Sequence, residues 1–221
     1  MRLSLAVLLV SCIVTTLHAA TYPVVWFEYG NVFDQVCAKK THYKIQSAWV
    51  NELRHRLPAI RHAWQTEGTR LLKTTEHITH LSFRKPSYRV VMSLCDFPSM
   101  SEPLLVNMRY SLKSFVKTPL LPAVTTSIFY HELLHVYLKG RTPPYRGILK
   151  QYAHASWTVR EHLFLFAIQK AVYIRLGQQK ILSEVIKKDK SLPNKQYARA
   201  WHIVNTVGYQ KFISALLAYQ K

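Results

Sequence analysis

The stretch His131-Glu132-Leu133-Leu134-His135 follows the pattern H-E-x-x-H and lies within an apolar run. On an α-helix, residues four apart share one face, so both histidines can reach a single metal ion. The glutamate then projects beside the same ion, where it can take a proton from a bound water. Gly140 and the pair Pro143-Pro144 follow the run and predict the end of the helix.

The scarcity of acids strengthens the case for Glu132. The chain has 11 Asp+Glu against 30 Lys+Arg, and between residues 103 and 182 the only acids are Glu132 and Glu161. An apolar helix rarely buries a charged residue without a partner. A metal site therefore accounts for Glu132 better than an ordinary core helix with two satisfied histidines.

Length and composition predict one globular domain. The chain has 221 residues, 49% of them hydrophobic, with five Trp and 13 Tyr, which is ample for one core. No repeat, low-complexity run or flexible linker divides the sequence. We therefore expect a single domain over residues 21–221.

The first twenty residues predict export. Arg2 precedes an apolar stretch over residues 3–17, and Ala19-Ala20 offers small residues for cleavage. We expect a signal peptide at residues 1–20 and a periplasmic or secreted protein. Lipoprotein anchoring through Cys12 is the less favoured alternative, because the apolar run continues past that cysteine.

Two cysteines remain after removal of the signal. Cys37 and Cys95 either form one disulfide, as an exported protein allows, or are two buried free thiols. Neither has a nearby Cys or His at zinc-finger spacing, so neither is a candidate zinc ligand.

The formal net charge of +19 bears on partners. The basic residues are dispersed, and no zinc-finger spacing or aromatic-basic motif accompanies them, so we expect no nucleic acid as a partner. For an exported protein the charge favours attraction to anionic envelope polymers, a membrane surface or an acidic peptide substrate.

The order of predicted elements is α+β, with a small helix-plus-sheet part first and a mostly helical part after it. We expect strands at residues 22–27, 80–83, 88–94 and 104–110. Helical spacing covers residues 45–78, with a break at Pro58. After the His131 helix, we expect further helices at residues 157–176, closed by Gly177, and at 181–188, 195–206 and 210–219.

The motif and this order resemble a zincin-type zinc metallopeptidase. The resemblance covers the H-E-x-x-H helix and the general order of elements, and it identifies no subgroup. The metzincin continuation is missing, because Lys139-Gly140-Arg141-Thr142 follows His135. The resemblance implies a sheet above the motif helix, with an edge strand that aligns a peptide substrate, and residues 104–110 are the candidate strand.

A catalytic zinc site needs a third protein ligand and leaves the fourth position to water. In glutamate-type zincins that ligand lies on the next helix, where this chain has Glu161 and His162. Thr158 to Glu161 also reads as a capping box, which would engage Glu161 at the helix start. We therefore prefer His162, with Glu161 as the alternative and His154, just ahead of the helix, as the least constrained candidate.

The resemblance implies an exported, zinc-dependent peptidase in which His131 and His135 bind one Zn²⁺ and Glu132 is the general base. The oxyanion helper expected of a zincin has four nearby candidates in the sequence: Tyr130, Tyr137, Tyr145 and Tyr152. Two alternatives remain open. One is a non-catalytic, basic envelope-binding protein on a zincin-like scaffold, and the other is a closed metal-binding site without catalysis.

Overall fold

The computed structural model describes residues 22–143 and 147–220. The expected signal peptide at residues 1–20, and Cys12 within it, lie outside the described residues. No helix in these two ranges is long and apolar enough to cross a membrane.

The described chain places a small sheet and two helices before a run of helices, so the α+β prediction is confirmed. The strands are β1 (Val24–Tyr29), β2 (Ser87–Ser93), β3 (Met100–Ser101) and β4 (Leu104–Asn107). The helices are α1 (Asn31–Thr41), α2 (Ser47–Thr79), α3 (Pro122–Leu138), α4 (Trp157–Arg175), α5 (Gln179–Ser191), α6 (Gln196–Val207) and α7 (Tyr209–Tyr219). Short 3-10 turns cover Arg109–Ser111 and Gly147–Tyr152.

The sheet has the order β1-β2-β4-β3. β1 pairs with β2, and β2 with β4, in parallel, whereas β3 pairs with β4 antiparallel. The prediction of an edge strand at residues 104–110 was therefore wrong, because β4 is an interior strand and the two edges are β1 and the short β3.

The same stretch also forms a shorter strand than expected. The Asn107 side-chain oxygen accepts a hydrogen bond from the backbone N–H of Arg109 at 3.0 Å, and its amide donates to the Phe97 carbonyl at 2.7 Å. An Asn that bonds the backbone two residues on favours a turn over a continued strand. The chain accordingly leaves β4 at Asn107 and enters a 3-10 turn.

Helix α2 runs through Pro58 without ending there, so the predicted break was wrong. Proline removes one backbone donor, which leaves the carbonyl of Arg54 without its helical partner. Both residues are on the exposed side of the helix, where water can bond that carbonyl. The opposite side, with Leu53, Ile60 and Trp64, is buried in the core and keeps the helix continuous.

The expected strand at residues 80–83 is irregular chain. Its backbone groups are bonded by side chains instead of a neighbouring strand: the Leu81 carbonyl accepts from Tyr137 Oη at 2.8 Å, and the Ser82 carbonyl accepts from Arg141 at 2.7 Å. The Phe83 N–H donates to Glu76 at 2.8 Å. Two of these three partners are more than 50 residues away in the sequence, so local hydropathy does not indicate them.

Helix α1 was missed in the sequence because it has almost no apolar face. Its buried residue is Asp34, whose carboxylate accepts from the Leu94 N–H at 3.0 Å and from Ser93 Oγ at 2.5 Å. A disulfide joins Cys37 on α1 to Cys95 after β2, with a Cα–Cα distance of 6.4 Å. A buried carboxylate and a covalent bond thus attach this helix to the sheet.

Helix α3 is the centre of the molecule. Thirteen of its seventeen residues are buried, including its polar residues Thr125, Thr126 and Ser127. It contacts α2, α4, α5, β3 and β4. A helix that is covered on every side has no exposed stripe to display, so its polar residues need bonding partners inside the protein.

We expect replacement of Cys37 and Cys95 by serine to lower the free energy of unfolding. The bond closes a loop of 58 residues, for which chain entropy gives a loss of about 4 kcal/mol. Urea unfolding of the double variant measures it, and wild-type protein in dithiothreitol should match the variant. A variant with the oxidised wild type's midpoint would contradict the cross-link.

Candidate metal centre

Helix α3 presents His131 and His135 one turn apart on the same side. Their Nε2 atoms are 3.2 Å apart, and the ring centroids are 4.9 Å apart. His131 is 7% exposed, so water provides little of its bonding. Two imidazole nitrogens that face each other at this distance need a proton or a cation between them.

Helix α4 brings His162 to the same place. Its ring lies 5.1 Å from that of His131 and 4.8 Å from that of His135. Ser156 begins the helix by accepting a hydrogen bond from the Val159 N–H at 3.3 Å. The capping-box interpretation of Thr158 and Glu161 was therefore wrong, since Ser156 provides the cap.

Glu161 contacts a histidine instead of the helix start. Its Oε1 lies 3.2 Å from Nδ1 of His135. A carboxylate on the outer nitrogen of a histidine orients the ring and leaves Nε2 to face inward. The structure thus places the Glu161 carboxylate behind His135, and the exposed His154 lies outside the cluster.

The ring of His162 is held in the tautomer that a metal requires. Its Nδ1 lies 2.6 Å from the Thr158 carbonyl, which can only accept, so Nδ1 carries the proton. Its Nε2 then keeps a lone pair. That atom is buried and has no hydrogen-bond partner in the described part of the chain, which a bound ion would provide.

His131, His135 and His162 lie close enough to bind a metal ion, with their ligand atoms within 4.8 Å of one another. Tetrahedral zinc with Zn–N bonds of about 2.0–2.1 Å would bring ligand nitrogens to about 3.3 Å from each other. The His131–His135 pair already has this spacing. The third nitrogen would have to move closer to the pair to reach the same spacing. Three imidazoles alone do not identify the ion.

Burial keeps two of these imidazoles neutral. Desolvation, aided by the nearby His135, lowers the pKa of His162 to about 3. Desolvation and the charges of His135 and His162 hold the pKa of His131 well below its usual value. The neutral ring is the form that binds metal, so neither of these two must first lose a proton at neutral pH.

Glu132 lies in the same cavity and is 5% exposed. Burial raises its pKa to about 7, although the charge of His135 acts in the opposite direction. The cavity has a volume of about 820 Å³ and is also lined by all three histidines. Glu132 is outside the ligand group, so its carboxylate is available for proton transfer.

Tyr197 on α6 is the site residue that the sequence did not reveal. Its ring lies 4.5 Å from His162 and 5.8 Å from His131, and it lines the cavity. Burial, followed by the charge of Glu132, raises the pKa of its phenol. Tyr197 is 62 residues from His135 (197 − 135) and no motif marks it.

The tyrosines nearer to the motif are engaged elsewhere. Tyr130 Oη bonds Thr75 Oγ1 at 2.5 Å, and Tyr137 Oη bonds Thr79. Tyr152 packs beside Phe212 on α7. Tyr145 lies outside the described residues.

No protein-family model matches the chain, and neither the curated proteins nor the solved structures contain a match. What the site does therefore has to follow from its own residues.

We expect His162→Ala to lose one equivalent of tightly bound zinc, because it removes one of the three imidazole nitrogens that lie close enough to share an ion. Elemental analysis of the purified, dialysed protein and calorimetric titration with zinc measure this loss. His154→Ala is the matched control and should bind like the wild type. Unchanged zinc affinity in His162→Ala would refute the assignment of this ligand.

Glu161→Gln distinguishes an orienting carboxylate from a direct ligand. An orienting role predicts retained stoichiometry with affinity reduced about 10–100-fold, as for other outer partners of ligand histidines. Competition with a chromogenic chelator measures the affinity. Loss of the bound equivalent in Glu161→Gln, with His162→Ala still metal-loaded, would reverse the two roles.

Proposed function

We propose that the chain is a zinc-dependent peptidase in which His131, His135 and His162 hold the ion and Glu132 is the general base. The position of Glu132 carries this proposal. It adjoins a ligand, lines the open cavity and is not part of the ligand group. A site that only stores or binds a metal has no use for a buried acid in that position.

The donor set suits zinc. Zinc accepts imidazole nitrogen at three protein positions and keeps the fourth open in catalytic sites. When bound in this way, it acts as a Lewis acid on a carbonyl and lowers the pKa of coordinated water toward ~7. The orphaned Nε2 of His162 and the close pair on α3 support an ion at this place.

At the reacting carbonyl, Glu132 would transfer protons and Tyr197 would stabilise the developing negative charge. The Glu132 carboxylate accepts the proton of the attacking water and delivers it to the leaving amine. The phenol of Tyr197, whose raised pKa keeps it protonated, donates a hydrogen bond to the carbonyl oxygen as negative charge develops there. Both side chains line the same cavity.

The arrangement of the sheet supports the proposal of a zincin-type peptidase. The edge strand β3 contacts α3, and Met100 and Ser101 line the cavity that contains the histidines. An edge strand beside a motif helix is where a zincin would align its peptide. The order of elements also agrees with a zincin, since the motif helix α3 is followed by a helical part whose first helix, α4, carries His162.

The charge of the cavity differs from that of the whole chain. Five of the 11 acids line it, with Lys188 as the single Lys or Arg among its described lining residues. The five are Asp96, Glu102, Glu132, Glu161 and Asp189. This lining favours a neutral or basic peptide over the acidic substrate that the net charge of +19 suggested.

Glu132→Gln should retain zinc and reduce the turnover of a denatured, fluorescently labelled protein by about 10²–10⁴-fold, because the amide cannot accept the proton. Fluorescence release and zinc content are measured on the same sample. Glu184→Gln, an exposed change on α5, is the matched control. A Glu132→Gln variant with wild-type turnover would contradict the proposal.

A further inference from the structure

We infer that the cavity around the candidate metal centre binds an internal stretch of an extended polypeptide, so that the enzyme cleaves within chains instead of trimming their ends. This inference rests on the proposed peptidase function and specifies its substrate class. It is carried by the cavities on both sides of His135, by the free edge of β3 and by the pairing of the charged lining residues other than Glu132.

Two cavities meet at the candidate metal centre. The larger lobe, of about 820 Å³, contains all three histidines, whereas the smaller lobe, of about 530 Å³, extends past His135 along the end of α3. Both lobes are lined by Ser101, Glu102, His135, Trp157 and Glu161. Each volume is in the range of a ligand pocket, so a bound chain has room on both sides of the centre.

The edge strand β3 offers a backbone along which a substrate peptide can extend through both lobes. β3 pairs with β4 on one side, and no strand in the described part of the chain pairs with its other side. Ser101, at the end of β3, and Glu102, which follows it, line both lobes. An extended peptide can add to such an edge through backbone hydrogen bonds, which do not require a chain terminus.

An enzyme that trims chain ends has to stabilise the terminal ammonium or carboxylate, for which an unengaged charged side chain is one common partner, since an unpaired charge in a cleft is costly. The charged residues beside the centre have partners within the protein. Asp96 pairs with Arg109 at 2.7 Å, and Lys139 pairs with Glu102 at 2.5 Å.

Apart from Glu132, the base of the proposed reaction, the remaining charged lining residues are also engaged. Lys188 lies 3.3 Å from Asp189, which accepts from Trp201 Nε1 at 2.9 Å. Arg160 donates to the carbonyls of Ala153 and Ala155 at 2.7 and 2.9 Å. Glu161 is held by His135. The lining thus provides partners for a neutral backbone better than for a charged terminus.

Trp157 stands where the lobes join. It is the first residue of α4, it lines both cavities, and it is 62% exposed. The smaller lobe beyond it has an apolar wall that includes Val136, Leu149 and Phe164. An indole at the junction and an apolar wall behind it suit a substrate with an apolar side chain next to the cleaved bond.

Two random-sequence peptide pools, matched in composition, test the inference. One is acetylated and amidated at its ends, and the other has free ends. The zinc-loaded full-length chain is incubated with each pool, and the products are located by mass spectrometry. We expect internal cleavage of both pools at initial rates within about twofold, because the termini take no part in binding.

The outcomes separate the two proposals. Cleavage of the free-ended pool alone, or release of only terminal residues, overturns this inference and leaves the peptidase function standing. Hydrolysis of neither pool contradicts the peptidase function and this inference with it. Internal cleavage of the blocked pool supports both.

Trp157→Ala provides a second readout with a matched control. We expect about tenfold lower kcat/KM on a blocked peptide that the wild type cleaves, which corresponds to one aromatic contact. Zinc content should be unchanged. Trp26→Ala removes an equally exposed indole, 62%, from β1, and should behave as the wild type. Equal kcat/KM in the two variants overturns the placement of substrate across Trp157.

Discussion

The candidate site depends on the convergence of three imidazoles between α3 and α4. Two Nε2 atoms face each other at 3.2 Å, and a third, on His162, has no hydrogen-bond partner among the described residues. A buried nitrogen without a partner costs about 1–3 kcal/mol. A cation shared by the three imidazoles would remove that cost, and its binding would then stabilise the packing of α3 against α4.

One turn of α4 organises this convergence. The Thr158 carbonyl fixes the ring of His162, and Glu161 fixes the ring of His135. Both contacts depend on where α4 begins, which Ser156 determines through its hydrogen bond to the Val159 N–H. A start beyond Thr158 would leave the first turn of α4 unformed and remove both contacts.

The sequence correctly predicted the features that depend on neighbouring residues, such as helix periodicity and helix ends. The spacing of His131 and His135, the long helix ended by Gly177 and the helical run after residue 122 were correctly placed, and the Cys37–Cys95 alternative was resolved as a disulfide. Strand β2 was also found within a residue. These features depend on residues near one another in sequence, or, for the disulfide, on the two cysteines outside the expected signal peptide.

Long-range partners explain what was missed. Helix α1 is held by Asp34 against a distant backbone N–H, and residues 80–83 bond to side chains from α2, α3 and the chain after it. Tyr197 reaches the centre only because α6 packs on α4. The capping box predicted at Thr158 and Glu161 is not formed, because Ser156, two residues before Thr158, caps the helix. None of these outcomes has a signature in hydropathy or spacing.

Anomalous scattering at the zinc edge from crystals of the zinc-loaded protein tests the central claim most directly. We expect one strong peak, about 2.0–2.1 Å from the Nε2 atoms of His131, His135 and His162, with the Glu161 carboxylate on the outer nitrogen of His135. A peak coordinated by Glu161 in place of His162, or no peak between α3 and α4, would contradict it.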